Sequence, residues 1–365
     1  VTMSKFVVDT KRDRGYGSGY ALGATRVNIP LMESPLSALT INRALLDDVA
    51  PVDVTDALKY TSSISYAGNG TNGQVNVRGS SMRLDYQDGL PVNTVGPIHI
   101  WDMDFFERIE VVKGPAGTLY GAHQLGGLLN RVIKRPLTVQ RTTVTAMYDS
   151  IGPLDGVYKG SIDNTGPVLG SSKLFQRVVG LWQNGSTRSG GPDDRRGVSL
   201  AFDYHLERNS KVWFNFLNYF SNGAHSGQWQ VDAGNNISYM LGPEFSVFEN
   251  PEDTPALLKN RTWLYEAGYE TSLNVFGIDW SARLVGRTDN GNHDRQEGLS
   301  TTALQFYNSA GTLIGSGTPA GIFVNPNVAS IRTSANSVRT WRHRGDMSGV
   351  FFDVTGDLKT GPFRH

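Results

Sequence analysis

From residue 137 onward, stretches of about 9–13 residues alternate apolar with polar side chains, the period of a β-strand with one apolar face. Val198, Leu200, Phe202, Tyr204 and Leu206 point one way, and Gly197, Ser199, Ala201, Asp203 and His205 point the other. Phe276, Ile278, Trp280, Ala282 and Leu284 oppose Gly277, Asp279, Ser281 and Arg283 in the same manner. Further runs cover 142–149, 157–164, 174–183, 212–220, 262–272 and 341–355. The expectation is about eight strands in one sheet, each with an apolar and a polar side.

The connections are sided. Residues 207–210 and 274–275 read as tight turns, whereas 222–261 and 289–338 are long and polar. Short turns at one end and long loops at the other are the pattern of an outer-membrane barrel. A soluble sandwich also alternates, but structureless loops of this length are uncommon inside compact domains. No apolar run reaches the roughly 18 residues of a spanning helix. That leaves a β-barrel open, because its lipid-facing residues are spread over every second position.

Residues 76–136 have a different texture: short β-rich runs punctuated by glycine, with charges set deep inside them. The series reads Val77-Arg78-Gly79, Asp88-Gly89, Glu107-Arg108-Ile109-Glu110-Val111-Val112-Lys113-Gly114-Pro115, Leu119-Tyr120-Gly121, Gly126-Gly127, Asn130 and Lys134-Arg135-Pro136. These seven pieces, in this order and at this spacing, resemble the plug domain of TonB-dependent outer-membrane receptors, the siderophore-receptor type most of all. The resemblance extends back to about Ala24 and more loosely forward through the chain.

The resemblance implies a mainly β protein: an N-terminal mixed α/β plug followed by an incomplete transmembrane antiparallel β-barrel. Residues 1–23 form an arm, 24–136 the plug and 137–365 the partial barrel. Barrels large enough to hold a plug need about 22 strands, far more than eight. The expectation is therefore an N-terminal portion of a longer receptor, broken at a periplasmic turn near 359–365, with an open last edge. No signal peptide is visible at Val1, so the leader of an exported chain is removed or lies outside this sequence.

In the family, a TonB box near the N-terminus adds a strand to the periplasmic partner, and Phe6, Val7, Val8 and Asp9 are the candidates here. The competing reading is a disordered start with three chance apolar residues. In the plug charge network, Arg78 and Lys113 are expected to pair with glutamates on the barrel's inner wall, with Glu107 and Arg108 beside them. Lysine at the second position lacks the bidentate fork of arginine. The alternative is that both cations reach lumen water. Cargo is expected at the plug's outward loops, 65–73 and 91–101, with Tyr66, His99 and Trp101 as contacts. Arg283, Arg287 and Asp279 are expected to line the lumen.

Ahead of these motifs, 36–41 reads as a strand and 42–49 and 54–59 as short helices, the second capped by Asp53. Gly68-Asn69-Gly70-Thr71-Asn72-Gly73 matches a dinucleotide fingerprint by letter, but Gln74-Val75-Asn76-Val77 after it alternates like a strand where that fingerprint needs a helix.

No enzymatic constellation is visible. None of His99, His123, His205, His225, His293, His343 and His365 has zinc-protease spacing, and no serine elbow or P-loop occurs. Asp102, Asp104 and Glu107 suggest a metal cluster or acid/base pair only superficially, and Asp102 is expected to cap a turn. There is no cysteine, and 34 Lys+Arg balance 34 Asp+Glu, which offers no basic field for nucleic acid.

The implied function is uptake of a ferric siderophore across the Gram-negative outer membrane, driven by TonB and its inner-membrane energising complex. The ferric siderophore is then the transported ligand and outer-membrane lipid a further partner, with no covalent cofactor, no metal site and no catalytic residue. Cobalamin or an oligosaccharide as cargo, a signalling receptor, and a soluble β-rich carbohydrate-binding module are the alternatives. Residues 1–23 are short for a signalling domain.

Overall fold

The computed structural model describes residues 15–16, 18, 20–21, 29–30, 37–51, 54–58, 61–62, 64–67, 74–77, 80–82, 85–92, 102–114, 127–150, 156–185, 193–207, 209–224, 230–232, 238–240, 257–299, 304–307, 310, 312–317, 330–332, 337–357, 359–360 and 363–364. Phe6, Val7, Val8, Asp9, Asp53, Arg78, His99, Trp101 and the 68–73 loop lie outside them.

The N-terminal region opens with a two-residue pairing of β1 (Tyr20–Ala21) with β2 (Ile29–Pro30). Then come β3 (Ser37–Ile41), α1 (Arg43–Val49), α2 (Val54–Leu58), β4 (Ile64–Ala67), β5 (Gln74–Val77) and β6 (Ser80–Met82). After these follow β7 (Asp85–Gln87), β8 (Leu90–Pro91), β9 (Phe106–Lys113) and β10 (Gly127–Ile133). A mixed sheet runs in the order β3-β9-β10-β7-β8, with β10 and β7 parallel. Strands β4, β5 and β6 form a separate antiparallel sheet, so the glycine-rich string at 68–73 is followed by a strand.

Helix α1 starts where the Asn42 side chain accepts from the Leu45 amide at 3.2 Å, and it ends at Ala50 in the left-handed region. Leu46, with Val54, Ala57 and Leu58 of α2, packs on Ile41, Ile109, Val111 and Leu129 of the sheet.

The rest of the described chain is dominated by one antiparallel sheet. Its strands are β11 (Arg141–Asp149), β12 (Val157–Pro167), β13 (Leu174–Asn184), β14 (Asp193–Glu207) and β15 (Ser210–Ala224). Small strands β16 (Gln230–Asp232) and β17 (Ser238–Met240) precede β18 (Leu257–Val275) and β19 (Ile278–Leu299). Three more, β20 (Leu304–Tyr307), β21 (Leu313–Gly317) and β22 (Ser330–Arg332), precede β23 (Ser337–Asp357), and β24 (Lys359–Thr360) pairs with β25 (Phe363–Arg364). The eight-stranded order is β11-β12-β13-β14-β15-β18-β19-β23, with β11 and β23 as its edges.

Parity divides this sheet into two surfaces. Val144, Tyr148, Tyr158, Ile162, Trp182, Phe202, Phe214, Tyr265, Leu284, Val350 and Phe352 are exposed along one face. A continuous apolar surface of this extent needs a lipid cover. The other face is buried over the central strands, and Val179, Leu181, Leu217, Tyr219 and Leu264 on it share one core with the N-terminal domain. The domain therefore sits against the side of the sheet that faces away from lipid.

Two sequence expectations about connections need correction. The turn after β18 lies at Phe276 and Gly277, not at 274–275: Val275 pairs with Ile278, and both turn residues have positive φ, 55° and 74°. That geometry is the twist-matched hairpin turn. Asn274 instead donates across the hairpin to Asp279 at 2.6 Å, so its polarity serves the ladder. The loops expected over 222–261 and 289–338 are shorter, because β15, β18, β19 and β23 continue into them. Strand β19 has 22 residues, and crossing the hydrocarbon takes only about 9–11. Beyond the lipid the ladder persists while the apolar alternation has no reason to.

Replacing Gly277 by Val places a β-branched residue in the left-handed region, which costs about 1–2 kcal/mol. The measurement is the unfolding midpoint of the purified protein in detergent, expected to fall.

Candidate functional site

The polar groups between the N-terminal domain and the large sheet gather at two seams. The first is built on a register row of the sheet. Asn215, Glu266 and Arg287 are successive cross-strand partners on β15, β18 and β19, so all three project to the buried face. Arg287 donates from Nε to Glu266 at 2.7 Å, and Asn215 donates to the other Glu266 oxygen at 3.1 Å. The remaining Arg287 donors reach into the N-terminal domain. They meet the carbonyls of Gln87 at 3.0 Å, Leu90 at 3.1 Å and Pro91 at 3.2 Å. Those carbonyls flank the β7–β8 turn, where Asp88 and Gly89 both have positive φ. A planar guanidinium with five donors suits such a cluster of acceptors.

A second cation reaches Glu266 from the other side. Arg135 lies 3.5 Å from Glu266 and 2.9 Å from Asp88, and its guanidinium stacks 4.3 Å above the Trp213 ring. Trp213 lies where a side chain on Gly268 would be, 2.5 Å from the position of a Cβ there. With Val285 and the domain's Leu90 it forms an apolar patch beside the ionic row.

The second seam faces β12 to β14. Lys134 meets Asp163 at 2.8 Å, and Arg177 meets Asp163 at 2.7 Å and Glu107 at 3.5 Å. Lys159 holds Asp102 at 2.7 Å and Asp104 at 3.0 Å. Asp102 also accepts from the Asp104 amide at 3.0 Å, capping a short turn as expected. A polar cavity of about 160 Å³ remains here, lined among others by Arg43, Lys134 and Arg177 against Asp104, Glu107 and Asp163. Between the seams Phe105 is fully buried, edge-on to Tyr219 at 6.1 Å. Its ring fills the space over Gly197, where a Cβ would stand 2.5 Å away.

Among the expected network residues, Arg108 pairs with Glu110 at 2.5 Å inside the domain, and Lys113 donates to the Ser62 carbonyl and hydroxyl at 2.8 and 3.1 Å. Glu107 is on the second seam. Tyr66 lies on β4, opposite Val75. Arg283 is buried and pairs with Asp353 at 2.7 Å, whereas Asp279 is exposed beside the 276–277 turn. Sequence reasoning missed Arg135, Glu266, Asp88, Lys159 and Asp163 as interface residues. Lumen parity at Arg287 was the available signal, and by the same parity Glu266 was accessible. Among the described residues no group of three or more metal-ligating side chains occurs.

Burial pushes the Asp88 carboxyl above its usual range, with Arg135 opposing and Glu266 adding to the rise. Burial likewise raises Asp102 against Lys159. Burial disfavours charge on Asp104 too, but there Lys159 wins and holds the carboxyl low. Burial, then Arg43, lowers Lys134.

Residues 30–128 match the family described as TonB-dependent Receptor Plug Domain. The chain is 25% identical over 225 residues to the ferripyoverdine receptor of Pseudomonas aeruginosa, covering 60% of this chain and 25% of that one. It is 27% identical over 218 residues to the ferrichrome outer membrane transporter/phage receptor of Escherichia coli K12, covering 56% and 28%. The fold is similar to the crystal structure of BauA, the ferric preacinetobactin receptor of Acinetobacter baumannii, with a TM-score of 0.68 at 15% identity, covering 94% of this chain and 47% of that one. The chain thus spans between a quarter and about half of the length of these proteins.

Arg287→Met leaves the β7–β8 turn without its donors and Glu266 with one cation fewer. Loss of one partner from a buried pair costs about 3 kcal/mol, to be read as faster hydrogen exchange across the N-terminal domain. Asp88 gives a pH signature. Its raised folded value means that the folded state binds the proton more readily, so its contribution is full below about pH 4 and is lost as pH rises through the raised value. Asp88→Asn removes this dependence, and thermal midpoints of the two proteins across that acidic range provide the comparison.

Proposed function

We propose that this chain, a member of the TonB-dependent receptors of the outer membrane, serves energy-coupled uptake of a ferric siderophore. The observation that carries the reading is the seam itself. The N-terminal domain sits on the lumen side of a membrane sheet, held there by ion pairs and carbonyl contacts around Glu266, Arg135 and Arg287 beside the apolar core that it shares with the sheet. These polar contacts are exchangeable for water, which suits a stopper that is displaced during transport.

Cargo is assigned by analogy with the relatives. The proteins it matches are named as receptors or transporters of ferripyoverdine, ferrichrome and ferric preacinetobactin, each an iron chelate. Tyr66, His99 and Trp101 are the proposed contacts, as rings with polar tips suit such a ligand. Phe6, Val7, Val8 and Asp9 are the proposed strand added to TonB. Of the expected charge network, Arg78 and Glu107 are proposed to hold the plug between transport events, Glu107 through Arg177, whereas Arg108 and Lys113 bond within the domain to Glu110 and Ser62. In this mechanism ligand binds the outward loops, and a pull on the arm then shifts or partly unfolds the plug and opens a path along the wall.

Growth under iron limitation on single siderophores, with and without the gene, tests the cargo. The expected result is a gene-dependent advantage on at least one of them. Equal growth on all removes the siderophore assignment, and gene-dependent growth on cobalamin or an oligosaccharide replaces it.

A further inference from the structure

The N-terminal domain contains a line of polar contacts that the seams alone do not require. Arg108 and Glu110 stand two residues apart on β9 and so share a face, and Asn130 is the cross-strand partner of Glu110 on β10. All three are fully buried. Arg108 donates to the Ser18 hydroxyl at 3.0 Å and pairs with Glu110 at 2.5 Å. Asn130 donates to the other Glu110 oxygen at 2.8 Å, and its carbonyl accepts from the Gly89 amide at 2.9 Å. Gly89 belongs to the turn whose flanking carbonyls Arg287 holds. The line therefore starts at Ser18, within the expected arm, and ends at the contact with the wall, crossing the central strands of the sheet.

An apolar set of the same shape would pack these strands at less cost, since burying an ion pair takes several kcal/mol of desolvation. What an ionic line adds is direction. Each group is held by the next, and a displaced Arg108 leaves Glu110 a buried charge that must find another donor. Asn130 already donates to that carboxylate, so a shift of Glu110 draws the Asn130 amide with it and strains the bond that its carbonyl accepts from Gly89.

We propose that Arg108, Glu110 and Asn130 are positioning residues that couple the chain at Ser18 to the 88–89 turn, so that a pull on the arm loosens the turn's grip on Arg287. The proposal rests on the uptake reading for its use in transport, but the coupling is measured without cargo.

The test is hydrogen exchange by mass spectrometry on the full-length receptor in detergent micelles, comparing Ser18→Ala, Asn130→Leu and the double variant. Removing one contact of the line should raise exchange of the 86–90 amides roughly fivefold. Ser18→Ala should then add nothing in the Asn130→Leu background. A change confined to residues near 18, or increments that simply add, overturns the coupling. Ser18→Ala leaves the buried side chains of the sheet in place, so an unchanged 86–90 segment in that variant alone decides against it even where Asn130→Leu does not fold. Failure of the uptake reading looks different: growth becomes independent of the gene while the exchange coupling persists.

Discussion

Glu266 is the charge on which the two halves of this structure depend. It is buried to 1% exposure on the inner face of the sheet, where an unpaired carboxylate could not stay ionised cheaply. One partner, Arg287, comes from the neighbouring strand, and the other, Arg135, from the segment that joins the N-terminal domain to the sheet. Each cation also holds the domain's β7–β8 turn, Arg287 through carbonyls and Arg135 through Asp88. Satisfying this carboxylate thus ties the β7–β8 turn of the domain to the sheet. Because the bonds are ionic and polar, water can substitute for them, which a seam built wholly from apolar side chains would not permit.

The large sheet meets two surroundings at once, and its strand period separates them. Even-numbered side chains of β14, such as Phe202 and Tyr204, face outward, and the residues between them, such as Ala201 and Asp203, face the domain. Glycines at Gly197 and Gly268 let bulky rings approach the inner surface, Phe105 from the domain and Trp213 from the next strand. The inner face is therefore shaped by small residues as much as by charged ones. Phe105 supplies one apolar part of the seam, and full burial of such a ring contributes roughly 1.5–3 kcal/mol.

Inside the domain the same division recurs on a smaller scale. Ile109, Val111 and Leu129 face the helices, while Arg108, Glu110 and Asn130 form a polar stripe on the opposite side of β9 and β10. A sheet face that buries Arg108, Glu110 and Asn130 beside Val112, Leu128 and Val132 is costly as packing alone. The stripe places its charges between the arm and the turn that the wall holds.

Much of this was determined locally and was legible in the residues. Alternation every second position is a property of the strand itself, so the eight strands, their two faces and the lumen side of Arg283 and Arg287 follow from the sequence. The short helix α1, the Asp102 turn and the strand after the 68–73 glycines also rest on neighbours in the chain. What only the tertiary structure decided was pairing over distance. No local signal joins Arg287 to carbonyls about 200 positions earlier, or assigns Glu266 to Arg135. Nor does one show that Lys113 would turn to Ser62. Strand length also escaped, because side-chain alternation ends with the lipid, whereas the hydrogen-bonded ladder ends only when its partner strand does.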